Sequence, residues 1–271
     1  MGTRARIAAL VIALLALVAA GCGDDASTAA TGTTEANGST AAAPPKVSGS
    51  ITVFAAASLT ESFGKLGEAF QKAYPDAKVT FSFAASSALV QQINEGAPAD
   101  VFASADAANM KKLTDAANAH GEPEVFATNK LEIITEQGNP TGITGVADLA
   151  DPDLIVVTCG PEVPIGRYSA EVFQKAGVTV TPKSYEADVK AVVNKVTLGE
   201  ADAGIVYATD VKAAGDKAAG VAIPDDINII ATYPIAVTKA SKNVAVAEAF
   251  LAFVLSDEGQ DILGDAGFTA P

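Results

Sequence analysis

From residue 51 onward the chain switches repeatedly between two hydrophobic spacings. Ile51-Thr-Val-Phe-Ala-Ala-Ala57 is a short apolar strand that ends in small residues. Leu59, Phe63, Leu66 and Phe70 then recur at helical intervals, predicting a helix over 59–73 that stops before Tyr74-Pro75-Asp76. Val79, Phe81 and Phe83 alternate with Lys78, Thr80 and Ser82, the period of a strand. Ala84-Ala-Ser86-Ser87 follows, and Leu89, Val90 and Ile93 open a second helix that Gly96 and Pro98 stop. Strand, small residues, serine and helix thus occur twice in succession.

The same reading predicts a strand at 100–103, a helix from Asp106 to about Asn118, and strands near 124–127 and over 130–135. A strand over 154–158, a loop ending in Gly166 and a helix over 167–176 make a third such junction near Ile165. Tyr185 begins a further helix whose apolar side holds Val189, Val192, Val193 and Val196 and which Gly199 closes. Ala203-Gly-Ile-Val-Tyr207 is a strand ending in a tyrosine, 227–237 is extended, and helices near 241–256 and 258–264 finish the chain. Strands alternating with helices define an α/β fold with mainly parallel sheets, which receive ligands at the carboxyl ends of their strands. Two such sheets facing across a cleft would gather the marked junctions. The extended runs 130–135 and 229–237 are the candidates to cross between lobes, giving one lobe of 49–129 plus 235–271 and a second of 130–234.

The first 48 residues follow a different pattern. Arg4 and Arg6 precede the apolar run Ile7–Ala20, and Ala19-Ala-Gly-Cys22 closes it. The run is too short and too cleanly ended for an ordinary membrane span, and it resembles a bacterial lipoprotein signal with residues 1–21 removed and Cys22 lipidated. Residues 23–48 are rich in Ala, Ser, Thr and Gly and hold no Phe, Tyr, Leu or Ile, as a flexible tether does. The chain therefore reads as exported and held at the outer face of the cytoplasmic membrane by lipid alone, with no spanning helix.

Charge and chemistry narrow the function. The formal charge of −14, which becomes −16 once Arg4 and Arg6 leave with the leader, excludes a nucleic-acid surface. It leaves anion capture open, because helix starts offer unpaired N–H groups and a positive dipole end whatever the overall charge. Ser58 and Glu61 have capping-box spacing, so Ser58 sits at such a start. With the leader gone, Cys159 is the only thiol and His120 the only histidine, so neither a disulfide nor a cysteine-rich metal site is available. Cys159 reads as a small buried hydrophobe and His120, beside Gly121, as a helix end. No Gly-x-Ser-x-Gly elbow accompanies Ser58, which argues against an esterase. Scattered tyrosines and a single histidine argue against ferric iron.

Five motifs taken together carry a resemblance. Val53-Phe-Ala-Ala-Ala-Ser-Leu-Thr60, Gly96-Ala-Pro-Ala-Asp-Val-Phe-Ala-Ser-Ala-Asp106, Val163-Pro-Ile-Gly166, Glu186-Ala-Asp-Val189 and Gly204-Ile-Val-Tyr207 stand in the order found in the substrate-binding proteins of molybdate ABC transporters. The resemblance covers 49–268. It implies a two-lobed, hinge-bending periplasmic-binding-protein fold of type II, monomeric, that holds molybdate or tungstate with uncharged donors and passes it to a membrane permease with its ATPase. It implies no catalysis, no cofactor and no metal coordinated directly by side chains. Carried over by position, Ser58 and Ser86 would give hydroxyl and backbone N–H donors, Ile165 and Val189 backbone N–H donors, and Tyr207 its phenol. Ile165 stands where the family often has a smaller residue, which leaves the backbone donor intact. Asp188 and Glu186 would repel a dianion, so they are expected to cap a helix or point outward. Arg167 is placed either to touch the anion or on a solvated helix face. Sulfate and phosphate differ from molybdate mainly in size and protonation, which the sequence does not display.

Overall fold

The structure, a computed structural model, describes residues 47–271. The expected leader, Cys22 and nearly all of the tether lie outside the described residues. The first half of the folded chain runs β1 (Gly49–Ala56), α1 (Thr60–Ala73), β2 (Ala77–Ala84), α2 (Ser86–Asn94), β3 (Val101–Ala103), α3 (Ala107–Asp115) and β4 (Ala119–Glu136). Then come β5 (Val156–Cys159), α4 (Pro164–Ala176), β6 (Ser184–Glu186), α5 (Val189–Thr197), β7 (Ala203–Tyr207), α6 (Ala208–Ala214) and β8 (Ala218–Ala222). The chain closes with β9 (Ile230–Thr238), α7 (Val244–Leu255) and α8 (Asp257–Ala266). No described helix is long and apolar enough to cross a membrane.

One sheet has the order β2-β1-β3-β9-β4 and the other β8-β4-β7-β5-β6, with β4 common to both. Residues Ala119–Lys130 of β4 pair with β9, and Leu131–Glu136 pair with β7 on one side and β8 on the other. The fold is therefore two-lobed, and β4 passes from one sheet into the next within a single peptide step. Parallel pairing, expected to predominate, joins β1 to β2 and β3, and β5 to β6 and β7. The other four pairings are antiparallel, and each involves β4 or β9. Of these two strands only β4 passes between the sheets; β9, expected to cross as well, pairs with β3 and β4 within the first sheet.

Hydrophobic periodicity places most elements because each helix buries one stripe. Leu66, Phe63 and Phe70 of α1 are fully buried, and Phe70 meets Phe250 and Phe253 of α7 edge-on at 5.4 and 5.7 Å between ring centroids. Aromatic burial of this kind ties the end of the chain to its beginning. Four expectations change. The two strands near 124–127 and 130–135 are one strand of 18 residues, whose register shifts at His120/Glu124 and Val125/Ala127 interrupt the alternation that would have revealed it. His120 lies on β4, half exposed and 3.6 Å from Glu248, and not at a helix end. Helix α5 begins at Val189, because the Asp188 carboxylate caps it, and the residues before it form β6 against β5. The short α6 and the Ala-Ala-Gly-Val-Ala strand β8 were not expected: neither carries an apolar stripe long enough to give a period.

Candidate functional site

Five chain reversals meet at the carboxyl ends of β1, β2, β5, β6 and β7. After β1 the chain makes a 3₁₀ turn over Ala57–Leu59 before α1; α2 starts at Ser86, α4 at Pro164, α5 at Val189 and α6 directly after Tyr207. Between them lies a small cavity enclosing about 210 Å³, part of it open to solvent. Ser58, Ser86, Ile165, Val189 and Tyr207 all line it, so the structure brings together every site residue expected from the sequence. The remaining lining is Ala56, Ala57, Ala85, Ala105, Val163, Pro164 and Asp188, which includes no cationic side chain.

Hydrogen bonds within the protein set the donors. Ser86 Oγ accepts the Ala105 N–H at 3.0 Å, which leaves the hydroxyl hydrogen to donate. Ser58 does not cap α1 as its spacing with Glu61 suggests. It lies inside the 3₁₀ turn, and its Oγ is 3.1 Å from the Tyr233 hydroxyl while Glu61 pairs with Lys190. Helix α4 reaches the cavity because position 166 is glycine: a Cβ there would land on the carbonyl oxygens of Gly160 and Cys159. Proline at its first position surrenders only an N–H that no helix can use, and the next N–H, that of Ile165, has no partner one turn back. The same holds for Val189 at the start of α5. Ile165 itself is buried, so its bulk is absorbed by the core.

Tyr207 supplies the sharpest feature. Its ring is buried, its backbone N–H donates to Asp210 Oδ2 at 3.2 Å, and its hydroxyl, near that of Tyr233, makes no hydrogen bond of good geometry within the protein. A buried unpaired hydroxyl costs about 1–3 kcal/mol. Burial also pushes the Tyr207 and Tyr233 phenols well above the ordinary tyrosine range, so both keep their protons.

Acidic groups nearby are occupied. Asp188 Oδ1 accepts the Ala191 N–H at 3.0 Å as the α5 cap, and Glu186 accepts from Ser184 Oγ at 2.5 Å and pairs with Lys195 at 2.7 Å. Burial works against the Glu186 carboxylate, but those bonds prevail and hold it below its usual range. Arg167 is neither on the cavity nor free in solvent: its guanidinium donates to Asp106 Oδ2 at 2.6 Å, and Asp106 is fully buried as the α3 cap. Lys190 lies 2.7 Å from Glu61 and 3.0 Å from Asp210. The Arg167–Asp106 and Lys190–Glu61 pairs join elements that follow β4 to elements that precede it. Burial alone would lower the Lys190 ammonium, yet Asp210 and Glu61 keep it above its normal range. Burial pushes the Asp210 carboxyl up, to about 6.

Sequence reasoning missed Tyr233 and Asn129. Tyr233 sits on β9 and Asn129 on β4, both are buried, and Asn129 Nδ2 donates to Thr209 Oγ1 at 2.9 Å. Strand β9 is buried at every position from Tyr233 to Thr238, so no alternation along it marks Tyr233 out. Among the described residues no cluster of His, Cys, Asp or Glu has the makings of a metal site.

A two-lobed α/β fold with a small, donor-lined cavity between strand ends defines a solute-binding protein. The family model for bacterial extracellular solute-binding proteins matches residues 51–269, and the chain belongs to that family, within the group of ModA proteins. It is 42% identical over 233 residues to the molybdate-binding protein ModA of Mycobacterium tuberculosis, covering 86% of this chain and 89% of the relative. It is 35% identical over 238 residues to ModA of Escherichia coli, covering 82% and 89%. The fold matches the periplasmic molybdate-binding protein of Azotobacter vinelandii with a TM-score of 0.71 at 23% identity, over 82% of this chain and 99% of that one. It matches the sulfate-binding protein SubI of M. tuberculosis equally well, at 0.70 and 21% identity, over 82% and 86%. These last two likenesses speak for the fold alone. Members of the family bind a transported ligand and use no cofactor; the chain is a binding protein and not an enzyme.

Proposed function

We propose that the protein binds molybdate, and tungstate with it, in the cavity between its lobes and delivers the ion to an ABC permease and its ATPase. The observation that carries this is the unpartnered Tyr207 hydroxyl facing the same small space as Ser58, Ser86 and the N–H groups of Ile165 and Val189. A tetrahedral dianion presents acceptors only, so it satisfies all five donors at once and wants no acceptor among them. Each charge-assisted bond contributes roughly 1.5–3 kcal/mol. Five of them, less desolvation and lobe closure, support micromolar to nanomolar binding, about −8 to −12 kcal/mol.

In this reading residues 49–129 with 235–271 form one lobe and 130–234 the other. β4 and β9 serve as the hinge, and the pairs Arg167–Asp106 and Lys190–Glu61 close across the cleft. The closed form is the one a permease recognises, and ligand binding biases the protein toward it. Residues 1–21 are the lipoprotein signal, Cys22 carries the lipid, and 23–48 tether a monomer to the outer face of the cytoplasmic membrane. Calorimetry with molybdate, tungstate, sulfate and phosphate in turn tests the ligand. Tight binding of the first two alone is expected; tight sulfate or phosphate binding without molybdate overturns the proposal.

A further inference from the structure

Each of the two serines that line the cavity has one polar partner in the protein. That of Ser86 is the Ala105 N–H, which can only donate. That of Ser58 is the Tyr233 hydroxyl at 3.1 Å, and there the direction of the bond is open, since either oxygen can give the proton. We infer that Tyr233 is a positioning residue for the oxyanion: its hydroxyl donates to Ser58 Oγ and thereby turns the Ser58 hydrogen into the cavity.

This inference rests on the oxyanion reading and adds a residue to it. A serine hydroxyl has one hydrogen and two lone pairs. If Ser58 spent its hydrogen on Tyr233, only lone pairs would face the ion, and acceptor would meet acceptor. The reverse arrangement gives the ion a donor and keeps the Tyr233 oxygen bonded. Tyr233 is built to hold its place. Its ring is fully buried and packs edge-on against Phe268 at 5.3 Å, Tyr207 at 5.7 Å and Phe126 at 6.2 Å between centroids. A ring so held cannot swing away, so its hydroxyl is fixed on Ser58. Tyr233 also sits opposite Ala127 in the β9–β4 pairing, next to where β4 passes between sheets. The orientation of Ser58 is thus set from β9, a strand 175 positions further along the chain.

The test is a double-mutant cycle read by calorimetry with molybdate on the full-length protein. Tyr233→Phe keeps the ring and removes the hydroxyl. It is expected to weaken binding about tenfold in the protein that has Ser58 and to change nothing further in the Ser58→Ala protein. A loss of the same size in both backgrounds, or no loss in either, overturns the inference while leaving the oxyanion reading intact. Failure of the unmutated protein to bind any oxyanion removes both. Should Tyr233→Phe fold poorly by its melting curve, 3-fluorotyrosine at position 233 preserves the phenol. Its ¹⁹F resonance is expected to move on molybdate addition when Ser58 is present and to stay put in Ser58→Ala saturated with the same ion. Equal movement in the two proteins counts against the role.

Discussion

Removing the Tyr207 hydroxyl separates stability from binding. The group is buried and unpaired without ligand, so Tyr207→Phe should leave the melting temperature of the ligand-free protein unchanged or raise it. The same change removes one charge-assisted donor and should weaken molybdate binding by about tenfold to a hundredfold. A variant that both melts lower and binds normally would contradict the placement of that hydroxyl. Asp210 gives a second residue-scale expectation. Burial raises its carboxyl from the ordinary 3.8 to about 6, against the pull of Lys190. Between those values the folded protein holds a proton that the unfolded chain has released. Stability from this group therefore falls as pH rises from about 4 to 6 and is level above, a loss on the order of 2–3 kcal/mol. Melting curves of the native protein and Asp210→Asn across that range should diverge with rising pH. Parallel curves would show that Asp210 titrates as it does in the unfolded chain.

Elements decide whether backbone donors arrive where they are needed. Helix α4 abuts the end of β5 so closely that Gly166→Ala would drive its Cβ into two carbonyl oxygens. The variant should melt lower, by about 1–3 kcal/mol, and lose most of its oxyanion affinity because the Ile165 N–H moves with the helix. Retained affinity measured by calorimetry would mean that Ile165 is not a donor. At this scale much was legible in the sequence. Ser86 stands where the apolar period changes, and Tyr207 ends a run too short and too apolar to be anything but a strand; Val189 came from the resemblance alone, since periodicity put it inside a helix that began at Tyr185. Ser58 was placed correctly and explained wrongly, since spacing alone cannot distinguish a capping serine from one inside a 3₁₀ turn. The long β4 was read as two pieces because its register shifts spoil the alternation, and Tyr233 escaped notice because its partner Ser58 lies 175 positions away. Local pattern carries local structure; pairings across the chain leave no mark in it. The ion pair of Arg167 with Asp106 escaped for the same reason.

For the whole molecule the flanking ion pairs matter more than their small number. Arg167→Gln leaves the buried Asp106 without its cation, and it removes a contact that only the closed form can make in the hinge reading. Molybdate affinity is expected to fall about tenfold, chiefly through faster release seen by stopped-flow displacement. An unchanged release rate would mean that Arg167 and Asp106 stay together when the lobes part. The formal charge of −14 poses no obstacle to anion capture: the acidic groups near the cavity are capped or paired, and the field at its centre is set by helix starts.

The first and last helices of the described residues pack together. Phe250 and Phe253 close the aromatic cluster around α1, and Thr128 pairs with Thr269 across a bridge near the terminus. None of the five expected ligand donors lies beyond Tyr207, yet the half that presents Ser58 and Ser86 is unfinished until the last thirty or so residues have been translated. A nascent polypeptide therefore cannot complete the proposed oxyanion site until its last helices have docked against α1.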